Sequence, residues 1–236
     1  MKKNERNLLP RKSRGKYNRL VLSHVHFPWI GDVSHVGHQE RRTPQPDDSL
    51  TFFTSVVGLH ETGRSGESVY LRAWGDYERH TLKLTAHTTS GLGHLGLRVR
   101  DDATLQQLVG HLAEHNVDGR WTEDERHGPA YRICTPDGHA IELYWETQRF
   151  TATPEISTAF KNQPQRYVPR GIAPRRIDHV NLLAREVGPN RHFFQNLLGL
   201  RLTEQIVFDD GVEMGAWLSA TNKSYDLAIT HDRTGS

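Results

Sequence analysis

The chain of 236 residues holds one cysteine, Cys134, and two methionines, and no apolar run approaches the ~20 residues of a membrane span. A lone thiol excludes an intramolecular disulfide and suits a reducing compartment such as the cytoplasm. Within Tyr131-Arg132-Ile133-Cys134 it reads as a small buried strand residue rather than a nucleophile. Strong net charge is also missing: 30 Lys and Arg against 28 Asp and Glu leave +2, so no whole-molecule field points to nucleic acid or an anionic surface. A 35% apolar share and a mean hydropathy of −0.68 bound a polar, water-soluble chain, large enough for one large or two small domains. The basic excess is local. Lys2, Lys3, Arg6, Arg11, Lys12, Arg14, Lys16 and Arg19 face one acidic residue, Glu5, within residues 1–20, and residues 1–31 are expected to be a solvated, disordered extension. Leu20-Val21-Leu22 is too short for the apolar segment of a secretory signal.

What the chain does have is a repeat. Ser34-His35-Val36, Gly93-His94-Leu95 and Asp178-His179-Val180 each place a histidine one residue into an apolar, alternating stretch, the pattern of a half-buried strand. Two copies continue into matching helical text, Phe52-Phe53-Thr54-Ser55-Val56-Val57-Gly58-Leu59 and Phe193-Phe194-Gln195-Asn196-Leu197-Leu198-Gly199-Leu200. Self-similarity of this length fixes architecture ahead of local propensity. It predicts an α+β fold of β-α-β-β-β units. His35 and His94 lie 59 residues apart, which would put a partner for His179 near position 238. The chain therefore reads as three units of an expected four, truncated at its C-terminal end.

Residues 32–150 hold the first two units as an N-terminal domain, 151–174 a linker with Pro154, Pro164, Pro169, Gly171 and Pro174, and 175–236 the third unit, half of a C-terminal domain. In the first unit Pro46-Asp47-Asp48 starts a helix that Gly58 stops, with Leu50, Phe53, Val56 and Val57 on one face, and residues 68–74 and 81–85 are β-type runs. In the second, strand 93–100 precedes a helix over 104–114 with Leu105, Leu108 and Leu112 inward, and strands 130–134 and 139–145 hinge on Pro136-Asp137-Gly138. Both phenylalanine pairs, 52–53 and 193–194, are expected in the helix core. One unit cannot bury its sheet face, whereas two side by side curve around a cleft. A third unit alone would expose Ile177, Val180, Leu182, Ala216 and Leu218, so aggregation or dimerisation is expected, and a homo-oligomer where the C-terminal domain is complete.

First and last strands of paired units point into such a cleft. Two imidazoles from matched strand positions and a carboxylate from a final strand make the 2-His-1-carboxylate set of non-heme Fe(II) oxygenases, which leaves positions open for substrate and dioxygen. A single histidine of this kind is ordinarily a partly buried strand residue; three at matched positions point to function.

Four stretches together carry a family resemblance: Asp178-His179-Val180-Asn181-Leu182-Leu183, Asn162-Gln163-Pro164-Gln165-Arg166-Tyr167, Gly128-Pro129-Ala130-Tyr131-Arg132 and Pro136-Asp137-Gly138-His139-Ala140-Ile141-Glu142-Leu143-Tyr144-Trp145-Glu146. Residues 33 to 234 resemble the type I extradiol ring-cleavage dioxygenases of the vicinal oxygen chelate superfamily, most of all their catechol 2,3-dioxygenase branch. The resemblance implies Fe(II), a catechol-type substrate and dioxygen, with no nucleic acid or membrane partner. It also implies a metal held in the C-terminal domain by a His of unit three and a His and a Glu of unit four. His179 matches the first of these. An acid-base His of unit three falls, in this resemblance, on Tyr225, and a phenol is the poorer base at neutral pH; His231 is the weaker substitute. Either activity is altered or the register is shifted.

The first two units offer a rival set. His35, His94 and Glu142 occupy the repeat-equivalent places of the three ligands, and His80 stands where Tyr225 stands in unit three. The resemblance argues against this site, because the N-terminal domain of the family is non-catalytic. Three functions remain open on sequence: an extradiol dioxygenase, a non-catalytic aromatic-binding module akin to the bleomycin-resistance proteins, and an inactive truncated remnant.

Overall fold

The computed structural model describes residues 31–124 and 127–234, so the basic segment of residues 1–20 lies outside the described part. The first unit runs β1 (Val33–Thr43), α1 (Pro46–Thr51), a π-helical continuation (Phe52–Val57), β2 (His60–Ser65), β3 (Ser68–Arg72) and β4 (Leu82–Ala86). The second runs β5 (Gly91–Val99), α2 (Asp102–Glu114), β6 (Gly119–Asp124), β7 (His127–Cys134) and β8 (Ala140–Tyr144). After the linker come β9 (Val180–Ala184), α3 (Val187–His192) with a π-helical end (Phe193–Leu197), β10 (Arg201–Val207), β11 (Glu213–Ser219) and β12 (Leu227–His231). Strand, helix and three strands thus recur, and β2 and β6 are elements whose positions the alternation in the sequence does not mark.

The first two units share one curled eight-stranded sheet, ordered β2-β3-β4-β1-β5-β8-β7-β6, because β1 and β5 pair antiparallel at its centre. A second sheet of four strands has the order β10-β11-β12-β9. In each unit the first strand runs parallel to the last.

Asp101 caps α2, its carboxylate accepting the Thr104 N–H at 2.8 Å, and Leu105, Leu108 and Leu112 are fully buried as their spacing requires. Gly58 ends the first helix at φ 88°, with its N–H on the Phe53 carbonyl. Widening to a π-turn rotates this helix, however. Leu50, Phe53 and Val57 meet Leu59, Leu71 and Leu82, while Phe52 and Val56 point outward, half-exposed, contrary to the periodic reading.

The third unit departs from expectation more usefully. Leu182, Ala216 and Leu218 are buried, not bare: Phe193, Phe194 and Leu198 cover them, and the same core continues to Leu105, Leu108 and Leu112 of α2. The Phe-Phe text is therefore wholly buried in the third unit, whereas in the first Phe53 packs inward and Phe52 is half-exposed, because only the third unit's helix rests on another helix. The linker is likewise fastened. The Trp74 Nε1–H donates to the Ala173 carbonyl at 3.0 Å, and the Ile172 and Ala173 N–H groups donate to Val56 and Val57 at 2.9 Å. Cys134 is exposed at the end of β7, not buried as its strand context suggests. Among the described residues no helix is long and apolar enough to cross a membrane.

Asp226 organises the turn that precedes β12. Its carboxylate accepts from the Ala220 and Thr221 N–H groups, both at 2.9 Å, and lies 2.8 Å from Lys223 Nζ. Burial disfavours the charged form, but hydrogen bonds from Lys223 and Thr221 prevail and hold its pKa below the ordinary carboxylate value. That contribution is present above an unfolded pKa of about 3.9 and is lost as pH falls beneath it. Asp226→Ala is expected to cost about 2–3 kcal/mol at pH 7 and to flatten the acid limb of a melting-temperature profile between pH 5 and 3.

Candidate metal centre

Parallel registers define which residues are equivalent in the three units. The first paired residues are Gln39 with Leu82, Leu95 with Ile141, and Val180 with Leu227. The residue just before each is a histidine: His38, His94 and His179. The first member of the repeat is thus His38, not His35. A bulge between Val36 and His38 shifts β1, and Gly37 makes it possible, since a Cβ there would collide with the Tyr144 hydroxyl. Gly96 similarly leaves room for the His38 ring, which a Cβ would strike.

The structure brings together His38, His94, His127 and Glu142. His38 Nε2 is 3.0 Å from His94 Nε2, and Glu142 Oε1 lies 3.5, 3.4 and 3.1 Å from the Nε2 atoms of His38, His94 and His127. None of these four residues is more than 7% exposed. The second oxygen of Glu142 is satisfied separately, by the Thr122 hydroxyl at 3.1 Å and by the guanidinium of Arg132. His94 Nδ1 meets Glu40 Oε2 at 2.9 Å, and His127 Nδ1 meets the Gly128 carbonyl at 2.9 Å. Lys83 lies 2.6 Å from Asp124, and Thr85 donates to Glu40 at 2.6 Å.

Burial pushes the imidazole pKa of His38 down and that of His80 well down. For His127 burial acts the same way, but the Glu142 carboxylate beside it wins and raises the value. Desolvation opposes ionisation of Glu142 and Glu40; the surrounding donors prevail, holding Glu142 far below the carboxylate range and Glu40 at about 2.

Other predicted residues fall elsewhere. His35 turns away to Glu78, Nε2 to Oε1 3.2 Å, and lines a cavity of about 600 Å³ shared with Arg98, Arg176, Asp178 and Lys223. The His80 ring lies 4.5 Å from that of His38, tilted by 49°, and the Tyr225 ring 4.7 Å from that of His179, edge-on at 64°, so the two units place a ring pair at the same position. His179 is partly exposed, with Nδ1 2.8 Å from Asp178 Oδ2. His231 pairs with Ala184, four residues past Leu227 and roughly 13 Å along the strand from the His179 end. Sequence reasoning missed His38 and His127. His38 sits three residues after His35 in the same strand, and only the bulge tells them apart; His127 carries no periodic signal.

No protein-family model matches the chain. It is 37% identical over 204 residues to a metapyrocatechase of Geobacillus stearothermophilus, covering 86% of this chain and 62% of that protein. It is 30% identical over 207 residues to a manganese-dependent 2,3-dihydroxybiphenyl 1,2-dioxygenase of Geobacillus genomosp. 3, covering 86% of this chain and 65% of that one. The chain thus spans somewhat under two thirds of these curated relatives. Among solved structures, the 2,3-dioxygenase LapB of Pseudomonas sp. KL28 superposes with a TM-score of 0.76 at 28% identity, over 86% of this chain and 72% of that one. A homoprotocatechuate 2,3-dioxygenase variant from Brevibacterium fuscum shares the fold at a TM-score of 0.74 and 24% identity, over 86% and 55%. The repeated units and the histidine that opens the parallel register in each thus belong to a chain that shares the fold of these dioxygenases and is similar to them over 86% of its own length.

Proposed function

We propose that the chain serves an Fe(II)-dependent extradiol dioxygenase of the cytoplasm that opens a catechol ring with dioxygen, giving a 2-hydroxymuconic semialdehyde type of product in aromatic catabolism. The observation that carries this reading is His179. It stands at the register position of the repeat, with Asp178 on Nδ1, so that Nε2 is free to ligate a metal, and with the Tyr225 ring 4.7 Å away. Residues 32–150 would then be the supporting N-terminal domain, 151–174 the linker and 175–236 part of the catalytic one. A bound divalent metal would act as a Lewis acid that gathers the catechol oxygens and dioxygen in one coordination sphere. His179 would anchor it, Asp178 would orient the imidazole, and Tyr225 would lie over the ring edge as a weak base.

Among the described residues His179 has no second imidazole beside it, so the 236-residue chain is expected to turn over little catechol by itself. Extended by a fourth β-α-β-β-β unit, it is expected to consume oxygen and form the yellow semialdehyde after anaerobic loading with Fe(II), and His179→Ala should abolish both. Mn(II) loading is the second arm, in view of the manganese-dependent relative. Aromatic binding without oxygen uptake would support the non-catalytic module instead. Turnover lost on His94→Ala but kept in His179→Ala would move the site to the N-terminal half.

A further inference from the structure

The buried cluster at the centre of the eight-stranded sheet has a chemical imbalance. Carboxylate and carbonyl oxygens only accept, so Glu40 Oε2 and the Gly128 carbonyl require hydrogens on the Nδ1 atoms of His94 and His127, each 2.9 Å away. Each neutral ring then turns a bare Nε2 inward. What those lone pairs meet is Glu142 Oε1, another acceptor, at 3.4 and 3.1 Å, while His38 Nε2 stands 3.5 Å from the same oxygen. Glu142 Oε1 and His127 Nε2 have no hydrogen-bond partner despite full burial of both atoms. His38 Nε2, 3.0 Å from His94 Nε2, carries the hydrogen of that contact, and Glu142 Oε1 is left facing the lone pair of His127.

Charge runs the same way. Glu40, Asp124 and Glu142 face Lys83 and Arg132, three carboxylates against two cations. The spacing is that of ligands around one ion. Metal–donor bonds of ~2.0–2.1 Å in a tetrahedron place donors ~3.3–3.4 Å apart; Glu142 Oε1 stands 3.5 Å from His38 Nε2 and 3.1 Å from His127 Nε2, and one ligand atom from each of these three residues lies within 4.8 Å of the others.

We propose that the N-terminal half holds a first-row divalent transition-metal ion bound by Nε2 of His38 and His127 and by Oε1 of Glu142. Imidazole nitrogens with one carboxylate suit Zn(II), Fe(II) or Mn(II), and the Gly128 carbonyl on His127 Nδ1 supplies the oriented backbone–histidine contact that such sites use. Three protein donors leave one position of a tetrahedral shell open, and the cavity of about 600 Å³ is lined by none of the three residues. The site therefore lies apart from that cavity and ties β1, β7 and β8 together at one point. It is separate from His179, lies in the other sheet, and does not depend on the catalytic reading above.

The test uses the full chain, stripped with a chelator, loaded with excess Zn(II) and desalted. Wild type and His179→Ala should each keep close to one equivalent, whereas Glu142→Gln and His127→Gln should keep about a tenth or less. X-ray absorption on the wild type should show about two imidazoles in the first shell, which settles the matter even if the variants fail to fold. Chelation should lower the wild-type melting temperature by about 10 °C. Loss of the metal in His179→Ala, full retention in folded Glu142→Gln and His127→Gln, or a wild type that keeps no metal because a proton on His127 satisfies Glu142 would each overturn the proposal.

Discussion

Arg72→Met is expected to lower the folding stability of the chain by about 3–5 kcal/mol. Arg72 is fully buried at the end of β3, where its guanidinium donates to the Asp76 carbonyl at 3.0 Å, to the Trp74 carbonyl at 3.1 Å and to Gln165 Oε1 at 2.7 Å. Its face lies 3.6 Å from the centre of the Phe150 ring. Burial lowers its pKa to about 10, so it remains charged at neutral pH and those acceptors remain occupied. Methionine fills the volume but leaves three oxygens unpaired in the interior, and the turn after β3 and the linker lose their common anchor. Urea unfolding should show a lower midpoint with an unchanged slope, and Arg72→Lys should recover less than half of the loss, since an ammonium cannot reach three acceptors in one plane. A change under about 1 kcal/mol would mean that the linker is not held through Gln165.

Gly37→Ala is the second large effect. The added methyl would occupy the place of the Tyr144 hydroxyl, which donates to Glu78 Oε2 at 2.7 Å. Glu78 is buried and also holds His35 at 3.2 Å, so the displaced phenol leaves a carboxylate short of a donor. Over-packing and the lost hydrogen bond together should cost about 2–4 kcal/mol, read as a fall in melting temperature. Because Gly37 sits in the bulge that aims His38, metal retention should fall with it. Tyr144→Phe removes the hydroxyl, so the double variant should be less damaged than the sum of the two singles. Strict additivity would show that the collision is relieved elsewhere.

Much of this molecule is written in its sequence at short range. The helix over Asp102–Glu114 follows from Asp101 and the spacing of Leu105, Leu108 and Leu112; the recurring histidine before an alternating strand marks the repeat; and His94, Glu142 and His179 stand out because strand periodicity places each on a known side. Those features depend on residues a few positions apart. What the sequence left open depends on how distant elements meet. The bulge at Gly37 sets His35 against Arg98 and His38 against Gly96, on one face, so that His38 and not His35 comes to lie beside His94, and Gly37 is required there because Tyr144, far along the chain, fills the gap. His127 becomes part of the cluster only when β7 folds back alongside β8. Leu182, Ala216 and Leu218 are buried and Phe52 is not, because the third unit's helix finds α2 to rest on and the first unit's helix finds only its own sheet. Periodicity assigns a side chain to a face, whereas burial and ligand geometry require knowing what lies opposite that face, and only the tertiary structure decides that.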